Sequence, residues 1–150
     1  MKIEYSILIN RPIEDVFAYV SNVENWPQWI SGASETKQTS PGPMGVGTTF
    51  TQVSHYLGRQ FEVNARVTEY EPNRKFAVVN DGKPVPYGNT ITLEWAGGST
   101  RLHNVLTASG DVGGLFKLAE PIMERMFRRQ FEKDHENLKD LLEAHAEARV

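Results

Sequence analysis

From about residue 114 to residue 146, Phe116, Ala119, Met123, Phe127, Phe131, Leu138, Leu141 and Leu142 recur with the period of an α-helix, while Arg125, Arg128, Glu132 and Glu136 fall on the far side. About 30 residues at 1.5 Å rise make a rod roughly 45 Å long carrying one apolar stripe. That stripe has to be covered, and the chain ahead of it offers one kind of partner. Between Ala33 and Ala108, strand-like runs are separated by SPGPMGVG (40–47), LG (57–58), EPNR (71–74), DGKPVPYGN (81–89) and AGG (96–98), which carry glycine, proline or asparagine where chain reversals need them. The pattern predicts an antiparallel meander long enough to lie along the helix, with the helix kinked around Pro121. The class is α+β.

Ahead of the meander, Ile3, Tyr5, Ile7 and Ile9 alternate with Lys2, Glu4 and Ser6, the period of a half-buried strand. Asn10 as a capping side chain and Pro12 near the first turn then open a helix in which Ile13, Val16, Phe17 and Val20 share a face, fading near Ser21 and Asn22. The stretch ENWPQWI follows. Pro27 biases Trp26 towards extended backbone, so a short broken helix or turn is expected, with both tryptophans projecting from it. The order is strand, two short helices, six strands, long helix, and the 150 residues suit a single domain, 1–150.

Composition narrows the function classes. A formal net charge of -3, with basic and acidic residues interleaved, gives nucleic acid no basic footprint. The absence of cysteine excludes disulfides, thiolate metal sites and cysteine nucleophiles, and it suits a reducing compartment. MKIEYSILIN lacks the long apolar core of a signal peptide, and no segment reaches the roughly 20 apolar residues of a membrane span. The expectation is a soluble cytoplasmic protein with no cofactor; monomer and homodimer both remain open.

Turn lengths fix strand registers, and register decides which side chains share a face. A two-residue turn at Leu57-Gly58 sets Tyr56 opposite Arg59, Ser54 opposite Phe61, Gln52 opposite Val63 and Phe50 opposite Ala65. The EPNR turn aligns Val67 with Val78 and Ala65 with Asn80. The glycine turn near residue 97 aligns Leu93 with Leu102 and Ile91 with Asn104, and it places Glu94 against Arg101 as an opposite-charge pair on the outer face. Gln52, Ser54, Tyr56, Asn80 and Asn104 then point inward among apolar neighbours, where an unpartnered polar group costs about 1–3 kcal/mol. They either bond one another and the backbone, or serve as the few placed polar groups of a mostly apolar ligand pocket. Phe50, Phe61, Val63, Phe76, Ile91, Trp95, Met123 and Phe127 would form its walls, with Trp26 at the mouth.

Catalytic signatures are scarce. The four histidines, His55, His103, His135 and His145, form no HExxH and no pair at metal-ligand spacing. His55 and His103 fall on the outer face as ordinary surface residues. GPMGVG is a turn, without the lysine of a phosphate loop, and no GxSxG elbow is present. Asp134 lies in the apolar stripe of the long helix with Gln130 one turn before it. An inward carboxylate there could be a general acid or base whose pKa is raised by burial; the preferred reading instead puts Asp134 past the sheet edge, in water or paired with a lysine or arginine, since acidic residues are seldom buried without a partner.

INRPIEDVFAYVSNVENWPQW resembles the N-terminal signature of the polyketide cyclase/dehydrase-like branch of the START-like (Bet v 1-like, SRPBCC) superfamily, through Pro12, Val16, Phe17, Asn25, Pro27 and Trp29. GVGTTF, RVTEYEPNRKF, STRLHNVL and the terminal helix extend the likeness over nearly the whole chain. Asn22 departs from it, standing where many relatives carry Asp. The resemblance implies the helix-grip fold: a seven-stranded antiparallel sheet wrapped around a long C-terminal helix, with two short helices after the first strand and a cavity for hydrophobic ligands between them. It makes Trp29 a brace of the fold, and it supplies no catalytic residues to carry onto this chain. The expected function is binding of a small hydrophobic ligand, such as a lipid, polyketide or aromatic compound. A metal-free cyclase or dehydratase acting in the same cavity, and an accessory protein acting through a protein partner, are the alternatives.

Overall fold

A computed structural model of the chain describes residues 1–56, 58–83, 85–108 and 120–148, the side chains of Tyr56, Glu120 and 145–148 excepted. The strands are β1 (Lys2–Ile9), β2 (Ala33–Gln38), β3 (Thr49–Tyr56), β4 (Arg59–Glu71), β5 (Lys75–Asn80), β6 (Tyr87–Ala96) and β7 (Ser99–Ala108). They form one antiparallel seven-stranded sheet in the order β1-β7-β6-β5-β4-β3-β2. Helix α1 (Ile13–Val20) and a 3-10 helix (Val23–Gln28) follow β1, and α2 (Glu120–Ala148) closes the chain. Only β1 departs from meander order, pairing with β7 and so bringing strands from the two ends of the sequence side by side.

The registers follow the turn lengths. Tyr56 opposes Arg59, Gln52 opposes Val63, Ala65 opposes Asn80, Ile91 opposes Asn104, and Glu94 opposes Arg101. One irregularity has no signature in the turns: the β4–β5 register shifts between Val67 and Glu69, a bulge that leaves Thr68 without an opposite residue. The start of α1 also differs from expectation. Pro12 occupies the N-cap with no side-chain hydrogen bond, and Asn10 instead accepts from the Ser99 hydroxyl at 2.9 Å. Asn22 does cap, its Oδ1 accepting from the Glu24 N–H at 3.2 Å. Pro121 is the second residue of the described α2; the onset and the turns expected from Gly114 lie outside the described residues.

The core lies off-centre. Val16, Phe17 and Val20 of α1, with Val23 and Trp26, pack on Phe50, Val67, Phe76, Ile91 and Leu102 of the inner sheet face and on Leu138 and Leu142 of α2. The last turns of α2 are also tied by polar contacts: Arg11 donates to the Leu142 carbonyl and pairs with Asp15, and Lys139 donates to the Leu8 carbonyl at 2.7 Å. Between Pro121 and Gln130, by contrast, no α2 residue is fully buried. The sheet and helix therefore meet tightly at one end and loosely at the other. Among the described residues, no helix is long and apolar enough to cross a membrane.

Candidate functional site

At the loosely packed end a cavity of about 230 Å³ opens between the turn after the 3-10 helix (Ser31, Gly32), His55 of β3, and Met123, Met126, Phe127 and Gln130 of α2. A second depression, of about 410 Å³, lies on the outer face of β3–β5 among Thr49, Thr51, Asn64, Arg66 and Val79, away from α2. Of the two, the first is the one bordered by α2. On α2 the stripe Met123, Phe127, Phe131, His135 advances by four residues at each step, so these side chains stand one above another along a single face. They lead from the cavity towards the interior.

His135 marks the inner end of that stripe. It is 1% exposed and boxed by the rings of Phe131, Trp29 and Tyr5, with centroids 4.5, 5.3 and 5.8 Å away. Its Nδ1 lies 2.7 Å from the Phe131 carbonyl and its Nε2 lies 2.9 Å from the Asn104 amide nitrogen. Burial lowers its pKa to about 4, against a smaller opposing effect of the Phe131 carbonyl, so the ring is neutral at physiological pH.

Several polar atoms inside the grip have no hydrogen-bond partner among the described residues. They are Trp29 Nε1, Thr36 Oγ1, Gln52 Oε1 and Asn104 Oδ1, with Asn89 Oδ1 of β6 as a further case. Gln52 is half satisfied: its amide nitrogen donates to the Ser54 hydroxyl at 2.9 Å. Thr36 of β2 stands opposite Gln52, so the two share one patch of the inner face. Nearer the cavity, Asp134 is 6% exposed, and its Oδ1 accepts from Gln130 Nε2 at 2.9 Å and from the Ser31 N–H at 3.3 Å. Burial raises its pKa, outweighing the hydrogen bonding from Gln130 and from Ser31. The expected placement of Asp134 in water or beside a cation is corrected: it is buried and bonded to an amide and a backbone N–H, joining α2 to the turn at the cavity.

The residues named from sequence separate into groups. Met123 and Phe127 line the cavity, and Gln52, Ser54 and Asn104 lie buried on the inner face. Phe50, Val63, Phe76 and Ile91 are buried in the packed interior, and Phe61 is half-buried. The side chain of Tyr56 lies outside the described set. Trp26 belongs to the core and not to a mouth: it is 3% exposed, donates from Nε1 to the Val20 carbonyl at 2.9 Å, and stands edge-on to Phe50 and Phe76. Trp95 is corrected too. It is 74% exposed at the hairpin end of β6, where inward alternation has outrun the core.

Asn80 is also corrected. Its Nδ2 donates to the Val85 and Lys83 carbonyls, and its Oδ1 accepts from the Tyr87 and Gly82 N–H groups. Those four bonds knit the β5–β6 connection and leave nothing to offer a ligand. Asn80→Ala should therefore lower unfolding free energy by about 2 kcal/mol in urea titrations, since several backbone groups lose partners together, while leaving affinity for any cavity ligand unchanged.

Sequence reasoning missed three participants. His135 fits the helical stripe, three residues before Leu138 and four after Phe131, and that spacing is the signal that could have found it. His55 sits on the outer face by alternation, yet its backbone N–H bonds the Gly32 carbonyl at 2.8 Å and its ring reaches Ser34 Oγ at 2.9 Å, which holds it at the cavity rim. Thr36 had no distinguishing signal. Among the described residues no group of His, Cys, Asp and Glu is placed to hold a metal ion.

The geometry has clear relatives. A structure of TTHA0849 from Thermus thermophilus superposes with a TM-score of 0.83 at 14% identity, covering 97% of this chain and 99% of that one. The Zhui aromatase/cyclase from Streptomyces sp. R1128 superposes at 0.75 with 11% identity over 97% and 95% of the two chains. A START superfamily protein from Mycobacterium smegmatis gives 0.69 with 14% identity over 99% of each. In sequence, the uncharacterized protein Rv1546 of Mycobacterium tuberculosis is 26% identical over 90 residues; the match spans 59% of this chain and 63% of that protein's length. The sequence pattern of the family described as "Polyketide cyclase / dehydrase and lipid transport" matches residues 1–143. The chain belongs to that family, on the START-like, Bet v 1-like helix-grip fold.

Proposed function

We propose that the protein binds a small, largely hydrophobic molecule between the inner face of the sheet and α2, admitted past Ser31, Gly32, His55, Met123 and Phe127. The observation that carries this reading is the cavity at the thinly packed end of α2, walled by methionine and phenylalanine; inward of it the same face of α2 carries Phe131 and His135, whose rings are in contact. At about 230 Å³ it is smaller than the roughly 300–1,000 Å³ usual for ligand sites. A guest larger than a few rings therefore needs the Met123 and Phe127 side chains to move aside. Membership of a family described by cyclase, dehydrase and lipid-transport roles agrees with such a guest, and a chain without cysteine suits the cytoplasm.

The test is thermal-shift and native mass spectrometry screening with fatty acids, flavonoids and aromatic polyketides. At least one class should raise the melting temperature and appear as a bound mass. Phe127→Arg should weaken that binding tenfold or more by placing a charge in the apolar wall, with little change in stability because Phe127 is only half-buried. Binding that survives this substitution unchanged would remove the cavity from consideration. A second reading, turnover of the guest, is favoured by Asp134: a carboxyl with a raised pKa beside the cavity is a candidate proton donor. Recovery of a chemically altered guest would select that reading, and recovery of unaltered guest selects carriage.

A further inference from the structure

We propose that the guest selected by this cavity carries a neutral hydroxyl, alcoholic or phenolic, at its buried end, and that Trp29 and Asn104 read it together beside His135. This rests on the ligand-binding reading above and names the chemistry that the site would prefer; Trp29 and Asn104 are buried and do not line the cavity itself, so the guest has to reach past Phe127 and Phe131 to meet them.

The hydrogen-bond directions around His135 follow from its partners. The Phe131 carbonyl can only accept, so Nδ1 carries the proton; Nε2 is then an acceptor, and the 2.9 Å contact requires the amide nitrogen of Asn104 to donate to it. That fixes which way the Asn104 amide points. Its oxygen faces away from the imidazole and has no partner among the described residues, although the residue is 1% exposed. On another side of the same imidazole, the Trp29 ring stands edge-on at 5.3 Å, with its Nε1–H likewise buried and unpartnered among the described residues. One histidine is thus flanked by an unmet acceptor and an unmet donor.

A hydroxyl is the smallest group that answers both, accepting from Trp29 Nε1–H while donating to Asn104 Oδ1. An ether or ketone can accept from Trp29 only. A carboxylate, acceptor-only and charged, would face the Asn104 oxygen beside a neutral His135, and Arg11 is committed to Asp15 and the Leu142 carbonyl. The patch on β2 and β3 repeats the pattern without charge, with Gln52 Oε1 as an unmet acceptor opposite the Thr36 hydroxyl. Leaving such groups desolvated and unmet is costly, so a guest that meets them gains affinity over one that does not.

The experiment compares three ligands on one skeleton, 2-naphthol, 2-methoxynaphthalene and 2-naphthoate, by displacement of Nile red at neutral pH from the wild type, Asn104→Leu and Trp29→Phe. In the wild type 2-naphthol should bind at least tenfold more tightly than either of the others, about the value of one or two buried hydrogen bonds. In each variant the advantage should shrink to about threefold or less. If Asn104→Leu does not fold, judged by circular dichroism, Trp29→Phe carries the comparison alone. Equal binding of all three ligands, or tighter binding of 2-naphthoate, overturns the hydroxyl assignment and leaves the cavity reading standing. A 2-naphthol preference that persists undiminished in the folded variants overturns the role of Trp29 and Asn104. Failure of Nile red and of every naphthalene to bind overturns both readings.

Discussion

Trp26→Ala should cost about 3–5 kcal/mol of unfolding free energy, the range for removing a large aromatic side chain from a packed core, whereas Trp95→Ala should stay within about 0.5 kcal/mol. The contrast follows from placement. Trp26 joins the 3-10 helix to the sheet through edge-on contacts with Phe50 at 5.5 Å and Phe76 at 6.3 Å, and its indole N–H closes on the end of α1. Its loss leaves a cavity where three elements meet and removes the partner of the Val20 carbonyl. Trp95 is largely in water. Urea denaturation followed by far-ultraviolet circular dichroism separates the two, and comparable losses in both variants would mean that the core has been misassigned.

His135→Gln should make the protein markedly less sensitive to acid. Above its ordinary pKa of 6.5, His135 is neutral in both folded and unfolded chains and contributes no pH dependence. As pH falls from 6.5 to about 4, the unfolded chain takes up a proton that the buried ring refuses, so stability declines through that window by about 3 kcal/mol in all. Below about pH 4 the ring is protonated in both states and the decline from this source ends. Asp134 acts in the opposite sense: its raised folded pKa makes its burial costly at higher pH, and protonation relieves that cost as pH falls. Since Asp134 is present in both proteins, the difference between them isolates His135. Denaturation at pH 7, 5.5 and 4 should show the variant losing about 3 kcal/mol less than the wild type. Parallel losses would place the His135 side chain in contact with water.

Much of the fold was legible because its determinants are local. Two-residue, glycine- and asparagine-containing turns set the registers of β3 on β4, β4 on β5 and β6 on β7, and the alternation in those strands showed which side chains share the inner face. The bulge at Thr68 was not legible, since it trades one backbone pairing for another without changing composition. Nor was the depth at which each inner residue sits. Alternation assigns a face but not a position relative to the core, so Trp95 shares the inward phase of Ile91 and Leu93 and still ends in water, while Asn80 shares that of Phe76 and Val78 and is taken up by its own turn. In ENWPQWI, Trp26 left its expected place at the mouth for a related reason, while Trp29 is packed as a brace should be. Pro27 predicts an irregular backbone there but not its tilt, and the tilt turns Trp26 onto Phe50 and Trp29 onto His135. The Asn104–His135 contact joins a strand to a helix 31 residues on, a pairing that turn lengths do not determine.

The uneven packing of α2 makes the helix a cantilever. Its far end is built into the wall of the molecule by Leu138, Leu142, the Arg11 bond to the Leu142 carbonyl and the Lys139 bond to the Leu8 carbonyl. Its near end overhangs β3 with Ile122 and Met126 in solvent. For a beam fixed at one end, the least costly displacement is a tilt about the fixed end, which widens the gap beside His55 and Gly32 while those anchoring contacts stay closed. For the guest proposed above, room could thus be made without loosening the core, at the expense of the Ser31–Asp134 bond that spans the opening.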